Sequence, residues 1–361
     1  MKISVRQICF IMIAYTAVGK LLIYPTQLAN LCGRDILFPA LFDLFISGVI
    51  IWSLAFLCSK TDKTFFGLLQ ATIGKIGARI VYGFFAAYFI AAALIPVFEQ
   101  KLYVHTIFYD TVPSLMVFLP FFMFSLYAAS KRFLNIGRCA DICLPVFAVT
   151  MASVFLMAFS EAKWDNLLPI LTTPAQKVIS SAANTAFRFT EPCWLLMFMG
   201  HFRYKKGDAA KITLSYALGA AVVLLFLAVF YAVYGEISSS RTFAVSRTSI
   251  YFPAIETLGR IDLILLYALE MVMLFAVVLD IQMAVHSLAL CTGYDDRRVW
   301  SLAVNGVLIV ILIVCDHYFH SILQFFSQWA WIWVLLFAAL VPLALWILYA
   351  VVRRREYERK I

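Results

Sequence analysis

Long apolar runs alternate with short charged breaks along the whole chain. Each of ten runs has close to the ~20 residues that a helix needs to cross the hydrocarbon core of a membrane. The runs lie at about 8–31, 36–58, 76–104, 113–130, 140–159, 178–202, 210–234, 259–290, 298–315 and 325–351. A membrane β-barrel would instead show alternating strands of about 10 residues. The pattern therefore predicts an all-α polytopic membrane protein with about ten transmembrane helices.

The composition agrees with this class, and the positions of the charges orient the chain. Hydrophobic residues make up 64% and charged residues 14% of the 361 residues, whereas soluble chains have about 45–50% apolar and about 25% charged residues. With the N-terminus in the cytoplasm, 20 of the 29 Lys and Arg residues fall in inner segments and 7 in outer segments. This bias predicts cytoplasmic N- and C-termini and a basic cytosolic tail at 352–361 against the anionic inner leaflet. The net charge of +9 is thus a topology signal, and no nucleic-acid partner is expected.

The first apolar run is interrupted near its middle. Lys20 is about 12 residues from either end of the run, roughly 18 Å at 1.5 Å per residue, which is too far to reach water comfortably. It therefore needs a local anion or a water-filled pocket. Gly19 lowers helix propensity, and Pro25 removes an N–H group and disfavours helical geometry at Tyr24. A break in this helix near the bilayer midplane is expected.

The sixth run repeats this pattern with Arg188, Glu191 and Pro192 at its centre. One interpretation is a proline kink in which Arg188 and Glu191, at i,i+3 spacing, neutralise each other. The other rests on the spacing of the two breaks, because interrupted helices five spans apart are typical of an inverted five-plus-five repeat. On this interpretation residues 1–361 form one transmembrane domain, with a first repeat at about 5–159, a second at about 178–315 and a last helix at about 325–351.

In inverted-repeat folds the unwound centres of the first and sixth helices face each other. Their half-helix N-termini offer N–H groups to a carboxylate, and their carbonyl ends hold a cation. A small amino acid suits both ends, and Glu191 could take its ammonium or a proton. The expected substrate-binding residues are Thr16, Val18, Gly19 and Lys20 in the first break and Phe187, Phe189, Thr190 and Glu191 in the second.

Three further anions lie within the apolar runs. Asp43 and Glu270 are candidate charge partners of Lys20 or Arg188, and Asp280 could approach the cytoplasmic water. Structural pairing is the favoured role for all three. No metal site is expected, because the histidines at 317 and 320 have no fourth ligand nearby in the sequence. The chain also lacks nucleotide-binding and serine-nucleophile motifs, so we expect neither a cofactor nor an enzyme.

Several short motifs occur in order along the chain. They are residues 4–7 followed by Gly19, Leu22 and Pro25; Gly74 and Lys75 followed by Tyr88 and Phe89; residues 166–169; Glu191; and residues 260–262. By these motifs the chain resembles the GerAB-type spore germination proteins, the membrane B subunits of germinant receptors, over essentially its whole length. Lys20 departs from the small residue usual in that family, and the proline directly after Glu191 is also unusual for it.

This resemblance implies the LeuT-like fold of the amino acid–polyamine–organocation superfamily. It implies that Tyr88 lines the substrate pocket and that the chain is a receptor subunit of the spore inner membrane, with an A subunit and a lipoprotein C subunit as partners. The ligand would be a small germinant, in the first place an amino acid. A proton-coupled amino acid transporter of the same superfamily, with Glu191 or Lys20 as the titrating group, is the alternative. A structural membrane scaffold is a third class, and the buried charges at the breaks argue against it.

Overall fold

Helices form almost all of the chain that the computed structural model describes, which comprises residues 3–108, 111–249, 262–315 and 318–358. Each predicted apolar run coincides with one helix or with two consecutive helices. The helices are α1 (Val5–Val18), α2 (Tyr24–Cys32), α3 (Leu37–Cys58), α4 (Phe65–Phe108), α5 (Ser114–Ala129), α6 (Phe133–Phe159), α7 (Ala175–Thr185), α8 (Glu191–Phe198), α9 (Asp208–Tyr234), α10 (Ala244–Ser249), α11 (Asp262–Thr292), α12 (Arg297–Val314), α13 (Phe319–Val334) and α14 (Val341–Glu358). In this part of the chain, seven helical stretches are long and apolar enough to cross a membrane.

The first span is broken between α1 and α2, as its sequence predicts. Helix α1 ends at Val18, and α2 begins at Tyr24 with Pro25 in its first turn. A break of this kind exposes backbone carbonyl groups that water cannot satisfy at membrane depth. Helix α10 supplies two donors, since its backbone N–H groups at 244 and 245 donate to the carbonyl oxygens at 22 and 21, at 2.8 and 3.3 Å.

The sixth span is broken in the same way. Helix α7 ends at Thr185 and continues as the 3₁₀ turn Ala186–Arg188, and α8 starts at Glu191. The centres of the two broken spans lie against each other. The rings of Tyr15 and Trp194 meet edge to face with 4.0 Å between their centroids.

Two glycines shape the end of the bundle that carries the N-terminus. Gly74, at φ 80°, joins a short lead-in helix to the third span within α4. Gly200, at φ 77°, follows α8 and approaches Thr64, so that a Cβ atom added there would lie 2.7 Å from the Thr64 backbone nitrogen. Because no side chain fits this contact, the backbones of the two connections pack directly against each other.

The last span contains a turn of π-helix, Leu335–Leu340, between α13 and α14. The π turn places Phe337 against the aromatic rings of α4, with ring centroids 4.9 Å from Tyr88 and 5.0 Å from Phe85. In α14, after the π turn, the indole Nε1 of Trp346 donates to Ser53 Oγ of α3 at 2.7 Å. The two halves of this span therefore pack against different neighbours.

At the end of the bundle opposite the N-terminus, Asp35 anchors the loop that precedes α7. Its carboxylate accepts hydrogen bonds from the backbone N–H groups of Leu171 and Thr173, at 2.8 and 2.7 Å, and from Thr172 Oγ1 at 2.9 Å. Burial raises the pKa of Asp35, but these hydrogen bonds to its charged form outweigh burial and leave the pKa below its usual value.

Replacing Asp35 with Asn should lower the melting temperature of the purified protein at neutral pH. The change removes the charge that strengthens three hydrogen bonds, each of which is worth about 1.5–3 kcal/mol when one group is charged. Since the folded-state pKa is lowered, this stabilisation is present above the usual pKa and is lost as the pH falls through the lowered value. Asp165→Asn, at an exposed carboxylate before the same loop, is the control. Equal melting temperatures for the two variants would contradict the anchoring role.

Candidate functional site

A cavity of about 490 Å³ lies where the two broken spans meet α4, α11 and α13. Its walls are mostly apolar and combine small side chains with larger ones. These wall residues include Ala87, Ala91, Ile95, Met273, Val277 and Phe326. Four charged side chains reach the lining, namely Lys20, Glu99, Arg188 and Asp280. The cavity thus combines an apolar body with a few charged groups at fixed positions, which is the usual character of a small-molecule site.

Lys20 connects the two breaks. Its ammonium forms an ion pair with the Glu191 carboxylate and donates to the Thr16 carbonyl oxygen at 3.2 Å. It also lies 4.4 Å from the centroid of the Phe189 ring, within range of a cation–π contact. Lys20 and Glu191 are 1% and 0% exposed, so the pair is fully desolvated. The local anion that the position of Lys20 requires is Glu191.

Arg188 forms a second buried ion pair, with Glu99 of α4. The guanidinium donates to both carboxylate oxygens, at 2.6 and 3.2 Å, and to Gln27 Oε1 at 3.2–3.3 Å. This bidentate geometry is the strong form of an Arg–carboxylate contact. The proposed pairing of Arg188 with Glu191 within the sixth span is therefore wrong. The 3₁₀ turn and the break direct the two side chains to different partners.

Asp280 of α11 is a buried carboxylate on the cavity wall. It is 2% exposed, and both of its oxygens lie 2.8 Å from the Tyr15 hydroxyl. The Tyr15 oxygen in turn lies 2.8 Å from Thr190 Oγ1, which donates to it because the single Tyr15 proton points to the carboxylate. Among the described residues no ion pair involves Asp280. The expectation that Asp280 approaches cytoplasmic water is wrong, since α11 places it at the centre of the bundle.

The two other predicted charge partners are engaged elsewhere. Asp43 Oδ2 accepts a hydrogen bond from Thr185 Oγ1 at 3.3 Å. The Glu270 carboxylate lies 2.8 Å from the amide nitrogen of Gln100, with that amide oriented to donate. Neither contacts Lys20 or Arg188 in an ion pair, because Glu191 and Glu99 already occupy those positions. The pairing of Asp43 and Glu270 with these cations is thus corrected by the structure.

The predicted site residues divide into a lining set and a supporting set. The residues that line the cavity are Val18, Gly19, Lys20, Tyr88, Phe187, Arg188 and Thr190. The others, Thr16, Phe189 and Glu191, are buried behind the wall. Glu191 and Phe189 act on the site through Lys20, and Thr16 does so through its carbonyl group.

Sequence reasoning did not identify Tyr15, Glu99 and Gln100 as lining residues. Glu99, Gln100 and Lys101 form a polar triplet inside the third apolar run, and that triplet is a signal that could have found two of them. Tyr15 carries no such signal, since an aromatic residue four positions before a helix break is common in a packed core. Asp316, His317, Arg260 and Ile261, which entered the metal and motif arguments, lie outside the described residues.

The helices interrupted around a central cavity define a LeuT-like fold, and solved structures with that fold align with the chain. MhsT, solved in complex with L-phenylalanine, aligns with a TM-score of 0.60 at 11% identity, over 97% of this chain and 99% of that one. A mutant of the manganese transporter of Eremococcus coleocola aligns with a TM-score of 0.55 at 10% identity, over 93% of this chain and 78% of that one. At these identities the likeness establishes the fold.

The family follows from the sequence comparison. The model of the family described as spore germination protein matches residues 2–321, so the chain belongs to the spore germination protein family. The spore germination protein YndE of Bacillus subtilis (strain 168) is 24% identical over 182 residues, which are 50% of this chain and 48% of that protein. The chain is thus an integral membrane protein of a germination-related permease family, and the match spans about half the length of that curated relative.

Single and double substitutions at Lys20 and Glu191 should show strong coupling. Lys20→Met and Glu191→Leu each leave one unpaired buried charge and should each destabilise the protein by about 3–5 kcal/mol, whereas the double variant removes both charges and should recover much of that loss. Unfolding of each variant in detergent measures the effect. As a control, Lys20→Met combined with Glu99→Gln breaks two separate pairs and should show no recovery. Additive effects at Lys20 and Glu191 would argue against the bridge.

Proposed function

We propose that this chain is the transmembrane B subunit of a spore germinant receptor, located in the spore inner membrane with both termini in the cytoplasm. The observation that carries the proposal is the cavity at the meeting point of the two broken helices, in a chain of the spore germination protein family. The ligand is a small germinant with an amino group, and amino acids are the first class to test. The A subunit and the lipoprotein C subunit are the proposed partners.

The cavity offers a physical route from binding to signalling. Its lining combines residues from both breaks with α4, α11 and α13, so a bound molecule touches all of these elements at once. A ligand that fits one packing of these elements better than another shifts the population toward that packing. The partner subunits would then interact differently with the shifted packing, and this difference would carry the signal. Catalysis has no part in this scheme.

Filling the cavity tests the binding role directly. Ala91→Trp places an indole in the cavity from α4, so ligand should no longer raise the melting temperature, and spores carrying the variant should lose their response to nutrient. The measurement is a thermal-shift screen against L-amino acids together with a germination assay. Ala303→Trp, on the exposed face of α12, is the matched control and should behave as the parent. An Ala91→Trp protein that accumulates and still responds would overturn the proposal.

A proton-coupled transporter of the same superfamily is the second candidate, and Asp280 favours it. Glu191 and Lys20 form an ion pair with each other, so neither is an unpaired charged group on the cavity wall. Asp280 is a buried carboxylate on the cavity wall without a cation among its described contacts, which is the usual setting for a proton-relay group.

Uptake into proteoliposomes separates the two candidates. A receptor should bind ligand without moving it, so vesicles with an inward proton gradient should accumulate no more labelled amino acid than empty vesicles. Vesicles that contain the Asp280→Asn variant provide the control for any signal that is seen. Saturable accumulation that requires the proton gradient and is lost in Asp280→Asn would replace the receptor proposal with the transporter.

A further inference from the structure

One charged side chain on the cavity wall has no ion-pair partner among the described residues, and it identifies the class of ligand. Lys20 is paired with Glu191 and Arg188 with Glu99, so three of the four charged lining residues belong to ion pairs. Asp280 is the fourth, and no described cation forms an ion pair with its carboxyl group. A buried ionised carboxylate without a partner is costly, and the favourable complement is one positive charge in the cavity.

The same cavity is poorly equipped for a carboxylate. Both half-helices that begin near it, α2 and α8, carry a proline at the second position, so Pro25 and Pro192 each remove one N–H group from a first turn. Two of the other N–H groups in these first turns are already used. The Gln27 N–H donates to the carbonyl oxygen at 23 at 2.9 Å, and the Cys193 N–H donates to the carbonyl oxygen at 190 at 3.0 Å.

The start of α8 is also electrostatically unsuitable for an anion. Glu191 is its first residue, and this buried carboxylate occupies the position where the helix dipole would otherwise attract a ligand carboxylate. The two cations that could replace the missing donors, Lys20 and Arg188, are held by their own carboxylates. The half-helix N-termini therefore offer a substrate carboxylate fewer N–H donors and less positive charge than the sequence led us to expect.

From these observations we propose that the cavity selects a monocation, an amine attached to an apolar group, over a zwitterionic amino acid. The ligand ammonium binds at Asp280, beside the Tyr15 and Thr190 hydroxyls, and the apolar group packs against the wall formed by α4, α11 and α13. The volume of about 490 Å³ accommodates a branched or aromatic group. This inference rests on the proposed function, because it names the ligand class of the same site.

Matched pairs of compounds test the assignment in the unmodified protein. L-Leucine, L-phenylalanine and L-alanine would each be compared with the corresponding amino acid amide, which keeps the ammonium and the side chain but loses the negative charge. Isothermal calorimetry and thermal shift on the full chain should give at least roughly tenfold tighter binding for the amides, equivalent to 1.4 kcal/mol. Tighter binding of the amino acids would overturn the assignment while leaving the proposed function intact.

Substitutions identify the charged group that is responsible for the preference for amides. Asp280→Asn should remove the preference for the amides, because both series carry the ammonium and the negative charge at Asp280 is what disfavours the carboxylate of the amino acids. Asp43→Asn, at a buried carboxylate outside the cavity lining, is the matched control and should keep the preference. An Asp280→Asn protein that still prefers the amides would overturn the assignment. If no compound of either series binds the unmodified protein, the assignment and the proposed function fail together.

Discussion

The ion pair between Lys20 and Glu191 is the interaction on which the centre of this protein depends. Each residue lies at a break in a transmembrane span, and each would be a severe liability without the other, because an unpaired charge at that depth is poorly tolerated. Because the cation is a side chain of the protein, the Lys20–Glu191 contact between the two broken spans does not depend on an ion supplied from solution.

The other polar groups of the core follow from the same constraint, since hydrocarbon leaves no water to satisfy them. Helix α10 donates to carbonyl groups of the first break, and Arg188 binds Glu99 with two hydrogen bonds. At one end of the bundle, the Asp35 carboxylate accepts three hydrogen bonds from the loop before α7. Asp280 differs from these groups, because the Tyr15 hydroxyl is its one described hydrogen-bond partner.

The membrane-spanning helices could be predicted directly from the sequence, whereas the site could be predicted only in part. Long apolar runs and the positions of Gly19, Pro25 and Pro192 are local features, and they were sufficient to predict the helices and both breaks. Charge pairing is a long-range property. The partner of Arg188 is 89 positions away, and the partner of Lys20 is 171 positions away. Which of several buried carboxylates meets which cation depends on the rotation of each helix, and apolar periodicity leaves that rotation undetermined.

The π turn at Leu335–Leu340 has a consequence for comparing this chain with its relatives. Hydrogen bonds in such a turn span one more residue than those of an α-helix, so the azimuth of every following side chain is offset from the regular helical repeat. Phe326 before the turn faces the cavity, whereas Trp346 after it faces Ser53. An alignment that extends one uninterrupted helical wheel through this span would assign the wrong face to every residue beyond Leu340.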